Sequence, residues 1–157
     1  HIVVEPGGPM TRYGNRGVLE QYVSATGLVR LAGMEGIKAS EGMEPLTARQ
    51  VQEMALQGNP GARRVYEQAG RYLGIGLTTA IHLLNPAVII FSGGVSKAGD
   101  LLFKPMHREL KARCFKASLK GVQFRMAKLG DDMGAVGAAR LAFQCFAAAK
   151  ASKPRKK

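Results

Sequence analysis

Residues 87–91, Ala-Val-Ile-Ile-Phe, form a continuous apolar run. A run of this length and branching reads as a strand buried on both faces, the pattern of a parallel sheet. Upstream, Asn59-Pro60 pairs an N-cap residue with a proline at the first helical position, opening a helix that should reach about Leu84. Downstream, Gly93-Gly94 breaks the chain, and Ser96 reads as the cap of a helix over roughly 97–113. Helix, buried strand, glycine turn and helix at these spacings dictate an α/β layer. They also put bare backbone at the carboxyl edge of a strand, where open α/β sheets take ligands. Gly70, Gly74 and Gly76 lie inside the long helix. Glycine is a poor helix former, so these positions predict another backbone packed closely against them.

The remaining segments fit one domain without internal repeats. Residues 2–5 are β-branched and read as a strand, ended by Pro6-Gly7-Gly8-Pro9. Apolar spacing from Val18 to Ala32 predicts a helix, interrupted near Gly27. A loop occupies 33–46. Thr47-Ala48-Arg49-Gln50 is a capping box for a short helix that Gly58 stops. Val122 to Ala127 reads as a second strand of the layer, and Met133 to Ala147 as a helix of small residues. A folded unit over 1–148 and a disordered basic tail over 149–157 are expected.

Charge bears on that tail. The formal net charge is +12, and Lys150, Lys153, Arg155, Lys156 and Lys157 all fall in the last eight residues. A Ser/Pro/Lys segment without an apolar anchor does not fold. It reads either as an electrostatic arm for a polyanion or as a plain solvated tail. No aromatic residue interleaves the charges, so the second reading is favoured. No apolar run reaches membrane-spanning length. His1-Ile2-Val3-Val4-Glu5 does not resemble a secretion signal. Two cysteines, Cys114 and Cys145, without a disulfide framework point to a reducing compartment, hence the cytoplasm. A chain opening on His in mid-strand reads as processed, truncated or excerpted.

Three segments could carry chemistry. The first is Phe91-Ser92-Gly93-Gly94-Val95-Ser96, read either as a ligand-cradling turn or as a tight strand-to-helix connection. No Lys-Ser/Thr pair follows it, so it is not a Walker loop, and Gly74-Ile75-Gly76 lies in a helix without the third glycine of a dinucleotide fingerprint. The second is Gly130-Asp131-Asp132-Met133, whose acids either cap a helix or bind a metal. The third is Gly14-Asn15-Arg16-Gly17-Val18-Leu19-Glu20, where a carboxylate at a helix start could accept hydrogen bonds from sugar hydroxyls. His82 reads as a packed or surface histidine, and His107 as exposed.

Taken together, the ordered segments resemble the ROK family of sugar kinases, and its glucokinases in particular. The matching stretches are His1-Ile2-Val3-Val4-Glu5-Pro6, Gly14-Asn15-Arg16-Gly17, Leu19-Glu20, Ser24-Ala25-Thr26-Gly27, Gly58-Asn59-Pro60-Gly61-Ala62, Arg71-Tyr72-Leu73-Gly74, Leu84-Asn85-Pro86, Gly93-Gly94-Val95-Ser96 and Leu129 through Ala139. The resemblance covers residues 1 to about 143. It implies the C-terminal lobe of an actin-like, hexokinase-like (ribonuclease H-like) ATPase fold, with several helices on a small mixed sheet. It implies an ATP-dependent hexose kinase, glucose being the model substrate, that uses ATP with Mg. It maps sugar contacts onto His1 and Glu20, and the adenosine contact onto Gly93, Gly94, Val95 and Ser96.

Two departures qualify the resemblance. Family members carry three zinc-binding cysteines in the first loop; here those positions are Thr11, Tyr13 and Val18. A structural zinc needs about four good nitrogen or sulfur donors, so no zinc is expected. The family base is an Asp preceded by Asn, but Asp100, Asp131 and Asp132 are the chain's only aspartates, and none follows Asn. The Asp-x-Gly-x-Thr phosphate turn of the first lobe is also not in this sequence. The chain is therefore expected to be inactive without a partner lobe. The alternatives are a non-catalytic ROK-derived binding or regulatory module, and a homodimer formed through this lobe. Neither nucleic acid nor membrane is an expected partner.

Overall fold

The computed structural model describes residues 1–39 and 45–151. Seven helices and two strands follow in order: α1 (Glu20–Val23), α2 (Ala25–Met34), α3 (Ala48–Leu56), α4 (Pro60–Leu84), β1 (Val88–Phe91), α5 (Asp100–Arg113), α6 (Lys116–Lys120), β2 (Gln123–Met126) and α7 (Met133–Ala151). A 3₁₀ turn, Gly94–Ala98, separates β1 from α5, and a second, Gly130–Asp132, precedes α7.

The long helix α4 organises the fold. It begins as its sequence requires, with Asn59 Oδ1 accepting from the Ala62 N–H at 3.0 Å and Pro60 at the first position. It ends at Leu84, where Asn85 takes a left-handed φ of 42°. Asparagine tolerates that conformation better than most residues. Its interior glycines sit where neighbours come closest. A Cβ on Gly70 would lie 2.4 Å from the Leu102 carbonyl oxygen, and one on Gly74 would lie 2.7 Å from that of Met106. Both carbonyls belong to α5, so these two glycines let α4 and α5 pack backbone to backbone. Gly76 makes the same allowance for the side chain of Leu19.

Two apolar clusters flank this axis. Tyr22, Leu28, Leu31, Val51, Val65 and Tyr66 join α1–α4 into one. Ile81, Met106, Leu110 and Cys114 form the other, closed by Ile89, Phe91 and Phe124 from the sheet. The capping box at Thr47 forms, with both of its reciprocal hydrogen bonds in place.

The expectations for the strands need correction. β1 and β2 pair in parallel, Val88 opposite Gln123 and Phe91 opposite Met126, so the described sheet is parallel rather than mixed. Residues 2–5 do not join it. They contribute one isolated antiparallel bridge, Val3 to Val18, because their partner is a short loop rather than a strand. Nor is β1 covered on both faces. Ile89 and Phe91 turn toward α4 and α5, but Val88 is 42% and Ile90 61% exposed. The helical segment after the first loop breaks at Ser24 rather than Gly27. Ser24 adopts an extended conformation and its hydroxyl caps α2 by accepting from the Gly27 N–H at 3.0 Å.

Ser96 is likewise not the cap of α5, which starts after Gly99 without a side-chain cap. His107 is half-buried, not exposed: its ring meets Phe124 edge-on at 5.0 Å. His82 is exposed and accepts the Phe115 N–H at 3.2 Å. α7 stands apart. Its side chains from Met133 to Phe146 are all exposed, among them Leu141, Phe143 and Phe146. It extends to Ala151, and the rest of the basic tail, 152–157, lies outside the described residues, as do 40–44 of the 33–46 loop. No helix among the described residues is long and apolar enough to cross a membrane.

Candidate functional site

The first loop is folded back on itself by backbone hydrogen bonds. Val4 N–H donates to the Gly17 carbonyl at 2.9 Å, Gly17 N–H to Pro9 at 2.9 Å, and Thr11 N–H to Asn15 at 2.8 Å. Leu19 N–H donates to the Ile2 carbonyl at 2.8 Å. That last bond crosses the loop and sets His1 beside Glu20, the first residue of α1. The two line one cleft of about 340 Å³ with Thr11, Arg12, Tyr13 and Gln21. Both predicted sugar-side residues are thus brought together, and both are exposed. The His1 ring stands edge-on to Tyr13 at 6.3 Å, and the Arg12 guanidinium lies 4.7 Å above the Tyr13 ring.

This is a chemically mixed cleft. A carboxylate accepts hydrogen bonds, an imidazole accepts and donates, a guanidinium donates, and a phenol ring offers an apolar face. Such a set suits a small polyhydroxylated ligand. Arg12 and Gln21 carried no motif by which the sequence could have singled them out. Behind the cleft, Tyr22 stacks on Tyr72 at 3.8 Å, and burial pushes its phenol above the usual range.

The positions of the family's zinc cysteines do not fit a metal here. Val18 is fully buried in the bridge to Val3, and the Thr11 hydroxyl donates to Asn15 Oδ1. Only a hydroxyl, a phenol and an alkyl group stand where thiolates would be needed. Gly17 and the backbone bonds of Val4, Thr11, Gly17 and Leu19 hold the loop instead. Gly17 has φ +61°, and a Cβ on it would fall 1.5 Å from the Glu5 carbonyl oxygen.

The glycine turn builds a second cleft. Gly93 adopts φ 90° and ψ 168°, a conformation reserved for glycine, with open space where a Cβ would stand. Its requirement is therefore conformational and not one of crowding. Ser96 is buried and fastens the turn: its hydroxyl donates to the Gly93 carbonyl at 2.7 Å. Gly94 and Val95 line a cleft of about 730 Å³ with Leu28 of α2, Leu56 of α3 and Tyr66 of α4, rimmed by Arg49. So of the four residues predicted here, Gly94 and Val95 face the cleft, while Gly93 and Ser96 shape the turn. α1 and α2 connect the two clefts, Glu20 and Gln21 lining one and Ala25 and Leu28 the other. An apolar slot beside exposed glycine backbone fits a flat heteroaromatic base.

Glu20 is the carboxylate of the first cleft. Asp100 is paired with Lys104 at 2.9 Å on the surface of α5, and Asp132 is exposed at the start of α7. Among the described residues no three His, Cys, Asp or Glu side chains gather closely enough to hold a metal ion.

Comparison with known proteins bears on the family and the fold. The model of the ROK family matches residues 1–145. A glucokinase of Halalkalibacterium halodurans is 36% identical over 87% of this chain and 44% of its own length. The DNA-binding transcriptional repressor Mlc of Escherichia coli is 26% identical over 88% of this chain and 35% of its own. Among solved structures, a ROK family glucokinase from Streptomyces griseus, in complex with glucose and AMPPNP, superimposes with a TM-score of 0.74 at 31% identity, over 92% of this chain and 50% of that one. The chain spans about half the length of the curated glucokinases it matches. The architecture is that of half an actin-like ATPase fold. A family model that runs through both clefts, together with this superposition, places the chain in the ROK family.

Proposed function

We propose that this chain is the C-terminal portion of an ATP-dependent hexose kinase, that it binds the sugar through His1 and Glu20 and the adenosine of ATP through the turn at Gly93–Ser96, and that it is inactive alone. The observation carrying this reading is the joining of His1 and Glu20 in one cleft by a loop held together by its own backbone hydrogen bonds. Glucose is the proposed acceptor, since the matched relatives include glucokinases. The nucleotide would bring Mg bound to its phosphates.

Transfer of a γ-phosphoryl group depends on aligning acceptor and donor and on stabilising charge around the phosphorus. Glu20 would accept hydrogen bonds from sugar hydroxyls, and His1 would fix the sugar's orientation. Gly94 and Val95 would seat the base. A base for the attacking hydroxyl and a phosphate cradle would come from a complementary lobe. The exposed Val88 and Ile90 of β1, with the uncovered α7, support such a partner, because parallel sheets are normally covered on both faces. The test is a coupled assay of pure chain with ATP, Mg and glucose. No glucose 6-phosphate should form, and clear turnover refutes the inactivity.

A second reading is a non-catalytic regulatory module, supported by the match to Mlc over 88% of the chain. It predicts salt-sensitive DNA binding that disappears when residues 150–157 are deleted. Binding unchanged by that deletion removes the tail as its cause.

A further inference from the structure

We infer that the junction of α5 and α6 is a binding site for a small organic anion, a phosphate or carboxylate carried on an apolar body. Lys111, Lys116 and Lys120 surround a depression of about 400 Å³ whose remaining lining is Cys114 and Leu119. Other cations of α5 are already neutralised: Lys104 by Asp100, Arg108 by Glu67, and Arg113 by Glu109 at 2.6 Å. The three lysines have no such partner among the described residues. No acid occurs between Glu109 and Asp131, a stretch that holds six basic residues.

Three like charges around one hollow repel each other, and a bound anion relieves that repulsion. The lysine stems, Leu119 and the Cys114 side chain make the hollow itself apolar. A bare inorganic ion would leave that surface uncovered. An aromatic or short aliphatic body would cover it while its anionic end meets the ammonium groups. The depression is separate from both clefts, sharing no lining residue with either.

Cys114 provides a local reporter, since it is buried at the site while Cys145 is exposed. The experiment follows iodoacetamide labelling of both thiols in the full chain by mass spectrometry, with phenyl phosphate as probe. Phenyl phosphate at millimolar concentration should slow Cys114 labelling and leave Cys145 unchanged. Inorganic phosphate should protect less, and benzyl alcohol should not protect. Lys116→Ala/Lys120→Ala should weaken the protection about tenfold, the product of roughly threefold per exposed charge, while Lys128→Ala should not alter it. Amide chemical-shift changes confined to 111–120 are the second readout, decisive if Cys114 labels too slowly to follow. Equal labelling and unshifted amides with the probe overturn the proposal. So does protection that sodium chloride reproduces at matched ionic strength, or that survives loss of both lysines.

Discussion

Gly17→Ala tests the claim that hydrogen-bonded backbone does the work of a metal in the first loop. The added Cβ would stand 1.5 Å from the Glu5 carbonyl oxygen and 2.5 Å from its carbon. Both are backbone atoms, so no side-chain rotation relieves the overlap. Reaching even a 3.0 Å contact opens the crossing by about 1.5 Å, which breaks the bonds from the Val4 and Glu5 N–H groups to the Gly17 carbonyl, now 2.9 and 3.2 Å. Each is worth about 1 kcal/mol net. A φ of +61° adds about 1–2 kcal/mol for any residue with a Cβ. The total is about 3–4 kcal/mol. For a chain of this size that lowers Tm by about 10 °C if the loop unfolds with the whole. If it opens alone, the loss shows in hydrogen exchange at the Leu19 amide, whose bond to Ile2 holds His1 beside Glu20. Thermal melting and amide exchange together cover both cases. A Gly17→Ala chain that melts within about 2 °C of the parent and keeps Leu19 protected refutes the reasoning.

Four further outcomes are expected. Tyr66 is 1% exposed and its hydroxyl has no hydrogen-bond partner among the described residues, so Tyr66→Phe should stabilise the chain by about 1 kcal/mol in urea denaturation; a loss instead implies an unseen partner. The same phenol is pushed up to about 12 by burial. The folded state therefore favours the neutral form, so its contribution is whole below pH 10 and fades as pH rises from 10 to about 12. Urea midpoints at pH 9 and 11.5 should show a greater alkaline loss of stability in the parent than in Tyr66→Phe. Gly70→Ala gains about 1 kcal/mol of helix propensity, yet its Cβ meets Leu102 O at 2.4 Å and Pro105 Cγ at 2.5 Å, so a net loss of about 1–2 kcal/mol is expected and a stabilised variant contradicts the close packing. Glu20→Ala should abolish glucose-induced amide shifts around His1 and Tyr13 without changing Tm, and unaltered shifts remove Glu20 from the sugar site.

Local chemistry was legible where one residue decides the outcome. Asn59-Pro60 opens α4, and Thr47 with Gln50 opens α3, because a cap needs only its own side chain and the next turn. The glycines of α4 announced a close neighbour, which proved to be α5. What depended on distant partners was not legible. Ala87–Phe91 read as doubly covered, but Val88 and Ile90 are exposed, because an apolar run does not itself specify whether a second layer packs on it. Ser96 has a cap's identity, yet its hydroxyl serves Gly93 and not a helix. Apolar spacing runs unbroken through Ser24, and only its extended backbone divides α1 from α2. At the candidate site, His1 and Glu20 came from the family pattern, while Arg12, Tyr13 and Tyr66 emerge only when the loop and helices close around their clefts.

β1 has a consequence for handling the molecule. Its edge away from β2 has no flanking strand among the described residues, and its outer face carries Val88 and Ile90. An unpaired, apolar strand edge is a template on which other chains can add strands. The isolated polypeptide should thus be prone to self-association at high concentration and during refolding, its +12 charge opposing this most at low salt, where screening is weakest.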